Sequence, residues 1–279
     1  MTLQPYLFCS DRHLVSALCR GAADNVGAVV VDWERDGKPE RQAGAVDRIG
    51  IDTQINADGP QDLMEVAALA EVPVHCRLNA WKPSSPTELE TAIDGGATEV
   101  LMPMVRTTAE VIAAIDAARG RVGVGIQVET IEATRIAGQL GELPITRAYV
   151  GLMDLALERG APSIFDAVAD GTVERVRACF DVPFGFGGLT VPGGGRPVPT
   201  QLLAEEMVRL GCDFTFLRRS FIRDTGHEPG AGLRAIIEML RELERRTTDQ
   251  AAADHRALAA FLDDLDREQR HDSVPPGAD

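Results

Sequence analysis

The sequence of residues 122–156 is VGVGIQVETIEATRIAGQLGELPITRAYVGLMDLA. Two short apolar runs, 123–128 and 147–152, lie on either side of a longer segment whose apolar residues recur at helical spacing. This alternation predicts a strand, a helix and a second strand parallel to the first. Because both strands are apolar on both faces, they are typical of a parallel sheet that is covered by helices.

The same alternation extends in both directions along the chain, and eight such units can be counted. The length of 279 residues accommodates the roughly 250 that an eight-fold barrel needs. We therefore predict an α/β fold, a (β/α)8 barrel over residues 1–246. The predicted strands are 5–9, 28–33, 74–78, 100–103, 123–128, 147–152, 184–190 and 214–217.

Residues 247–279 are predicted to be a C-terminal helical extension followed by a tail. A helix over 251–270 would carry Leu258, Phe261, Leu262 and Leu265 on one stripe. Such a stripe needs an apolar partner. The sequence leaves open whether that partner is the parent barrel or a neighbouring subunit of a homo-oligomer.

The charge balance limits the partners of the protein. Basic residues number 28 and acidic residues 43, which gives a formal net charge of -15. Such a surface repels phosphate backbones and anionic membranes, so we expect neither nucleic acid nor a membrane as partner. An anionic substrate would then need a local cation, either a metal or a placed arginine.

The five cysteines are scattered and form no CxxC pair, which argues against a disulfide framework and a zinc site. The first 20 residues do not have the pattern of a signal peptide, and no apolar run is long enough to span a membrane. These features predict a reducing, cytoplasmic location.

Two carboxylates follow neighbouring predicted strands, Glu129 after strand five and Asp154 after strand six. In a (β/α)8 barrel the loops after the strands form the active face, so both could converge on one hard cation such as Mg²⁺ or Mn²⁺. Taken alone, either acid could instead be a helix N-cap or part of a loop ion pair.

Gly151 lies at the end of predicted strand six, three residues before Asp154, and could let the backbone approach a ligand. The N–H groups of Gly151, Leu152 and Met153 are candidates to bind an anionic substrate. A structural turn explains the glycine equally well.

Arg77 interrupts an apolar strand, and a buried guanidinium needs an anion. It is a candidate carboxylate clamp, or else a structural partner of Asp32 or Glu34. Those two acids alternate along strand two, so they face the same side and could order water around the metal. We take Arg77, Asp32 and Glu34 as the candidate catalytic residues.

Two loops are unusually long, residues 35–59 and the glycine- and proline-rich run 189–199, and either could be functional or a surface insertion. The first contains Lys38, Arg41 and Gln42 near the same barrel end. These residues, Arg41 above all, could bind a second carboxylate or a phosphate of the substrate. Exposed loop charge is the alternative.

Five motifs occur in a fixed order, and together they resemble the 4-hydroxy-2-oxoheptanedioate aldolase and citrate lyase β-subunit family of phosphoenolpyruvate/pyruvate-binding barrels. They are VVVDWER (29–35), CRLN (76–79), LMPMV (101–105), QVET (127–130) and GLMDLA (151–156). The resemblance implies that Glu129 and Asp154 bind Mg²⁺, Mn²⁺ or another divalent cation. It also implies that Arg77 neutralises the enolate or the carboxylate of a 2-oxo acid.

One position departs from the aldolase pattern, because Arg35 stands where those enzymes carry a histidine after the acidic pair. An arginine cannot act as an ordinary base. The citrate lyase-like branch has an acid near this position, for which Asp36 is the loose equivalent.

These features predict a metal-dependent carbon–carbon lyase that acts on a small 2-oxo acid or an acyl-CoA thioester, within a homo-oligomer that is a trimer or a hexamer. The alternatives are a condensing or thioesterase-like enzyme on the same barrel, and a barrel that binds a metabolite without turnover.

Overall fold

The computed structural model describes residues 3–19, 26–43 and 58–272, with the backbone alone described at 269–272. The strands are β1 (Gln4–Phe8), β2 (Ala28–Asp32), β3 (Val74–Arg77), β4 (Glu99–Met102), β5 (Gly123–Val128), β6 (Arg147–Val150), β7 (Phe184–Phe186), β8 (Gly188–Leu189) and β9 (Phe214–Leu217). The helices of the described residues are α1 (Arg12–Leu18), α2 (Lys38–Arg41), α3 (Pro60–Leu69), α4 (Ser85–Asp94), α5 (Thr108–Ala118), α6 (Ile131–Arg135), α7 (Ala137–Gly141), α8 (Leu152–Arg159), α9 (Asp166–Ala169), α10 (Thr172–Arg177), α11 (Thr200–Arg209), α12 (Ser220–Thr225), α13 (Pro229–Leu243) and α14 (Thr248–Asp272).

Gly187 joins the two ends of the sheet. The strands pair in parallel in the order β7-β6-β5-β4-β3-β2-β1-β9-β8, and the terminal strands β7 and β8 are separated in the chain by Gly187 alone. Its φ of 60° bends the chain, so that β7 pairs with β6 and β8 pairs with β9. The predicted (β/α)8 barrel is confirmed, and the predicted seventh strand is divided at this glycine.

The barrel has a mainly aromatic cluster in its interior and a mainly aliphatic outer layer. Because side chains alternate along each strand, Val30 points into the barrel while Val29 and Val31 pack towards the helices. The buried hydrophobic residues of the interior cluster are Val30, Leu101, Tyr149, Phe214 and Phe216. This packed interior means that ligands can approach only at the ends of the barrel.

A buried ion pair lies at the amino-terminal ends of the strands. Arg147, at the start of β6, pairs with Glu99, at the start of β4, and donates from Nη1 to the Tyr6 hydroxyl at 2.7 Å. A Cβ at Gly125 would lie 2.7 Å from Arg147 Cγ, so this glycine makes room for the pair. Since these charges lie at the end opposite the active face of such barrels, we assign them to stability.

The C-terminal helix α14 packs on its own barrel. Leu258 and Leu262 are buried against the core, with Phe261 and Leu265 partly buried beside them, and the helix lies along α11. His255 Nδ1 lies 3.0 Å from Glu206 Oε2 of α11. The predicted apolar stripe is confirmed, and its partner is the parent barrel. The tail over 273–279 lies outside the described residues.

All five cysteines are free thiols, in agreement with the sequence. Among the helices of the described ranges, none is both long enough and apolar enough to cross a membrane.

Candidate active site

Asp32 and Arg77 end the neighbouring strands β2 and β3 and are direct register partners. Arg77 donates from Nε to Asp32 Oδ1 at 2.8 Å and from Nη2 to Oδ2 at 2.6 Å, which is a two-point ion pair. Burial alone would raise the pKa of Asp32, but Arg77 and Lys38 hold that pKa at about 2. Asp32 is therefore an ionised anchor for the arginine.

Three cations surround the Glu34 carboxylate. Lys38 Nζ lies 3.1 Å and Arg77 Nη1 3.4 Å from Glu34 Oε2, while Arg41 Nη2 lies 2.5 Å from Oε1. Burial would raise the pKa of Glu34, and these three cations lower it below its ordinary value. The sequence left open whether Arg77 pairs with Asp32 or Glu34, and in the structure it pairs with both.

Glu129 directly follows β5 and is 3% exposed. Its Oε1 accepts from the Met104 N–H at 2.8 Å. It is not a helix cap, because Thr130 takes that role for α6 and accepts from the Ala133 N–H at 3.0 Å. Burial, followed by the charges of Asp154 and Glu34, raises the pKa of Glu129 to about 8. The positive charge near Glu129 is therefore too small to offset its burial and the neighbouring acids.

Gly151 allows Glu129 to lie against the end of β6. A Cβ at Gly151 would be 2.1 Å from Glu129 Oε2, closer than any side chain tolerates. The Gly151 N–H donates to Val128 O at 3.2 Å, so it belongs to the β5–β6 ladder and is not available to an anion. This corrects the prediction for that N–H group. The N–H groups of Leu152 and Met153 lie in the first turn of α8, where a helix offers them no internal acceptor.

Asp154 lies in the first turn of α8, and its charge is one of the causes that raise the pKa of Glu129. Its Oδ1 lies 3.3 Å from Arg41 Nε, and its Oδ2 accepts from Gln42 Nε2 at 3.1 Å. The N-cap of α8 is Gly151. Of the two simpler explanations for Asp154, the ion pair with a loop residue is present and the helix cap is not.

The short helix α2 brings the charges of the loop after β2 into the barrel mouth. Lys38 is 2% and Gln42 8% exposed, while Arg41 is half-buried. Exposed loop charge therefore does not describe these three side chains. All three contact Glu34 or Asp154, and a role in substrate binding stays a prediction. The rest of the predicted long loop, residues 44–57, lies outside the described residues.

Asn79, the last residue of the CRLN motif, fixes the start of this loop. Its Oδ1 accepts from the N–H groups of Arg35 at 2.8 Å and Asp36 at 2.9 Å. The Arg35 guanidinium donates to the backbone oxygen of Asp58. Arg35, which stands where the aldolases carry a histidine, therefore binds the backbone of the loop at Asp58.

Seven charged residues make up what we call the mouth cluster: Asp32, Glu34, Lys38, Arg41, Arg77, Glu129 and Asp154. When all four of its carboxylates are ionised, they exceed its three cations by one charge. Carboxylate oxygens suit a hard divalent cation, so Glu129 and Asp154 fit the predicted metal. In the described ranges no three His, Cys, Asp or Glu side chains converge on a metal position. Mg²⁺ is typically bound by one or two protein carboxylates, and water and substrate oxygens complete its coordination.

No protein-family model matches the chain, and no curated protein matches its sequence. Solved structures do match. RipC from Yersinia pestis has a TM-score of 0.56 at 12% identity, over 89% of this chain and 97% of that one. Citrate synthase SbnG has a TM-score of 0.54 at 15% identity, over 85% and 93% of the two chains.

A citrate lyase from Burkholderia xenovorans has a TM-score of 0.52 at 14% identity, over 89% of this chain and 85% of that one. Tryptophan synthase α-subunits from Pyrococcus furiosus are also similar, so proteins of different activities share the likeness. The fold that the sequence resemblance implied is confirmed, and two of the neighbours carry citrate lyase and citrate synthase in their names. The chain thus has the parallel (β/α)8 barrel fold of these proteins.

Proposed function

We propose that the protein is a divalent-metal-dependent carbon–carbon lyase of the aldolase and citrate lyase β-subunit family, acting on the enolate of a 2-oxo acid or an acyl thioester. One observation carries the proposal. Glu129 and Asp154 follow the adjacent strands β5 and β6 and interact electrostatically beside Arg77, in a cluster that has more carboxylates than cations. The citrate synthase and the citrate lyase among the structural neighbours support it.

Glu129 and Asp154 would hold Mg²⁺ or Mn²⁺. When bound, such a cation acts as a Lewis acid that stabilises the negative charge of the enolate, an effect of several kcal/mol. Gly151 contributes by leaving the space in which the Glu129 carboxylate lies.

Arg77 supplies fixed positive charge beside this position. Asp32 and Glu34 hold its guanidinium in place, and it interacts electrostatically with Glu129. A preorganised cation stabilises charge that develops during the reaction without reorienting. Asp32 and Glu34 are positioning residues in this proposal. With a pKa of about 2, Asp32 is too weak a base to remove a proton at neutral pH.

The first turn of α8 offers a place for the substrate carboxylate. The N–H groups of Leu152 and Met153 lie at the positive end of the helix dipole, next to Asp154. The carboxylate of a 2-oxo acid bound there would have its carbonyl oxygen within reach of the cation. The prediction of Leu152 and Met153 as substrate-binding residues is retained on this ground.

A condensing or thioesterase-like enzyme would share this site and differ in the electrophile. The similarity to citrate synthase SbnG favours the condensing form as the second candidate. Coenzyme A that remains bound to the purified protein would favour a thioester substrate over a free acid.

The test is a turnover screen of 4-hydroxy-2-oxo acids and acyl-CoA thioesters with Mg²⁺ or Mn²⁺. We compare the wild type with the double variant E129Q/D154N and with R121Q, whose exposed pair with Glu90 lies away from the site. The double variant should lose at least about a hundredfold in rate and most of its metal affinity, because both metal ligands are changed. R121Q should behave as the wild type. Metal binding without turnover across the panel would contradict the proposal and favour a metabolite-binding barrel.

A further inference from the structure

Two residues of the segment Gly37–Gln42, Arg41 and Gln42, contact the two carboxylate oxygens of Asp154. Arg41 Nε lies 3.3 Å from Oδ1, and Gln42 Nε2 donates to Oδ2 at 3.1 Å. The same guanidinium reaches Glu34 Oε1 with Nη2 at 2.5 Å. Arg41 therefore bridges the acids that follow β2 and β6 from a loop that is 113 residues away from Asp154 in the chain.

This bridge and a divalent cation compete for the same carboxylate. The Arg41 guanidinium lies 3.3 Å from Asp154 Oδ1, so its charge repels a cation at Asp154, and a cation that takes the lone pair to which Nε donates displaces Arg41 from that oxygen. The Arg41 charge is also felt by Glu129, the second candidate ligand. The chain thus carries a cation of its own at the position proposed for the metal.

Displacement would not remove Arg41 from the barrel mouth. Its contact with Glu34 and its Nη1 contact with Asp36 O at 3.3 Å do not involve Asp154. Only the Nε–H would lose its acceptor, and a partly buried guanidinium with a free donor attracts an anion. The charge count points the same way. With all four carboxylates ionised, a bound divalent cation gives the mouth cluster an excess of one positive charge, which a monoanionic carboxylate neutralises.

We propose that Arg41 is a tethered competitor of the divalent cation, which leaves Asp154 when the metal binds and then holds the anionic group of the substrate. The inference rests on the proposed metal site at Glu129 and Asp154. It makes metal and anion binding mutually reinforcing, because each ligand favours the same displaced position of Arg41. Such coupling is reciprocal, and each ligand tightens the other by the same factor, typically about 5- to 150-fold.

The experiment measures Mn²⁺ affinity of the full chain by isothermal titration, with and without saturating pyruvate. The variants are R41Q, which removes the charge, R41K, which keeps it, and R121Q as the matched exposed control. We expect R41Q to bind Mn²⁺ roughly tenfold more tightly without pyruvate, and pyruvate to change its Mn²⁺ affinity less than about twofold. R41K should lie between R41Q and the wild type. R121Q should match the wild type.

Unchanged or weaker Mn²⁺ binding by R41Q, with the pyruvate effect intact, would overturn the inference. If the thermal melt shows that R41Q is poorly folded, R41K provides the test. Lysine cannot contact Asp154 and Glu34 as the guanidinium does, so R41K should still weaken the coupling between Mn²⁺ and pyruvate binding. The variants E129Q and D154N separate the two proposals. If they abolish Mn²⁺ binding while R41Q and R41K behave as the wild type, only the role of Arg41 fails. If they leave Mn²⁺ binding unchanged, the metal site fails and the role of Arg41 with it.

Discussion

Arg77 and Asp32 form a two-point ion pair across the carboxyl ends of β3 and β2, with N–O distances of 2.8 and 2.6 Å. The guanidinium carbon also lies 4.6 Å from the centroid of the Phe8 ring. The side chain is thus fixed by charge on one side and by an aromatic face on the other. This fixed arginine organises one half of the mouth cluster.

Removing the arginine should be costly because Asp32 would remain buried and charged. We expect R77M to lower the free energy of unfolding by about 3–5 kcal/mol, and R77K by less, since lysine keeps the charge without the two-point geometry. Urea denaturation followed by circular dichroism measures this. The control R121M breaks an exposed pair and should change little. Equal losses in R77M and R121M would show that the Arg77 pair is not a structural anchor.

Gly151 should be intolerant of even one methyl group. Its φ of -81° suits any residue, so the effect of G151A is steric and comes from the 2.1 Å approach of Glu129 Oε2. We expect G151A to weaken Mn²⁺ binding by about tenfold or more, because the proposed metal ligand Glu129 is displaced.

G138A is the matched control, since a Cβ at that position in α7 has nothing within 4 Å. It should stabilise the protein by up to about 1 kcal/mol through helix propensity. Calorimetry of both variants makes the comparison. Wild-type Mn²⁺ affinity in G151A would mean that the carboxylate of Glu129 is not held where the structure has it.

Glu129 should make the metal-free protein less stable as pH rises. Its ordinary pKa is 4.5 and burial beside Asp154 and Glu34 raises that pKa to about 8. Between these values the folded state holds more protons than the unfolded state, so the free energy of unfolding falls with pH, by at most about 1.4 kcal/mol per unit. Denaturation between about pH 6.5 and 8 in the presence of a chelator measures the slope, because buried His75, whose pKa is lowered from 6.5 to about 3, contributes the opposite slope at lower pH.

E129Q does not titrate at this position, and its slope over the same range should be flatter. Asp32 does not interfere, because its pKa is lowered from 3.8 to about 2 and its contribution is lost only as pH falls through that lower range. Identical slopes for E129Q and the wild type would contradict the raised pKa of Glu129.

The C-terminal helix should support the barrel without contributing to its site. Leu258 is 2% exposed against the parent core, so L258A should cost about 2–5 kcal/mol of stability. R256A, on the exposed side of the same helix, should cost little. Light scattering of both variants measures the oligomeric state and so tests where the C-terminal helix packs. A change of oligomeric state in L258A would indicate that the helix packs on another subunit.

The strands could be predicted because each is an apolar run bounded by turn residues. Strand β5 occupies 123–128 as predicted, and the β4 prediction of 100–103 was one residue late. The break at Gly187 was not predicted, because it depends on pairing with β6 and β9, which lie far from it in sequence. A glycine within an apolar run indicates a bend only when its partners are known.

The candidate site followed from a rule of topology, since side chains after parallel strands meet at one end. That rule placed Glu129 and Asp154 together but not the Arg41 bridge. Arg41 lies in a loop without periodicity, and its contact with Asp154 spans 113 residues. Nor could the ladder bond that occupies the Gly151 N–H be predicted, because it depends on the register of β5 and β6.

In the proposed function, Glu129 and Asp154 support enolate formation with a divalent cation. Exchange of the pyruvate methyl protons for deuterium, followed by proton NMR, measures this without knowledge of the second substrate. The methyl group of acetyl-CoA serves for the thioester form. We expect exchange by the wild type and R121Q that requires Mg²⁺ or Mn²⁺ and falls by about a hundredfold or more in E129Q/D154N. Exchange that persists in the double variant, or no exchange of either methyl group by the metal-loaded wild type, would contradict it.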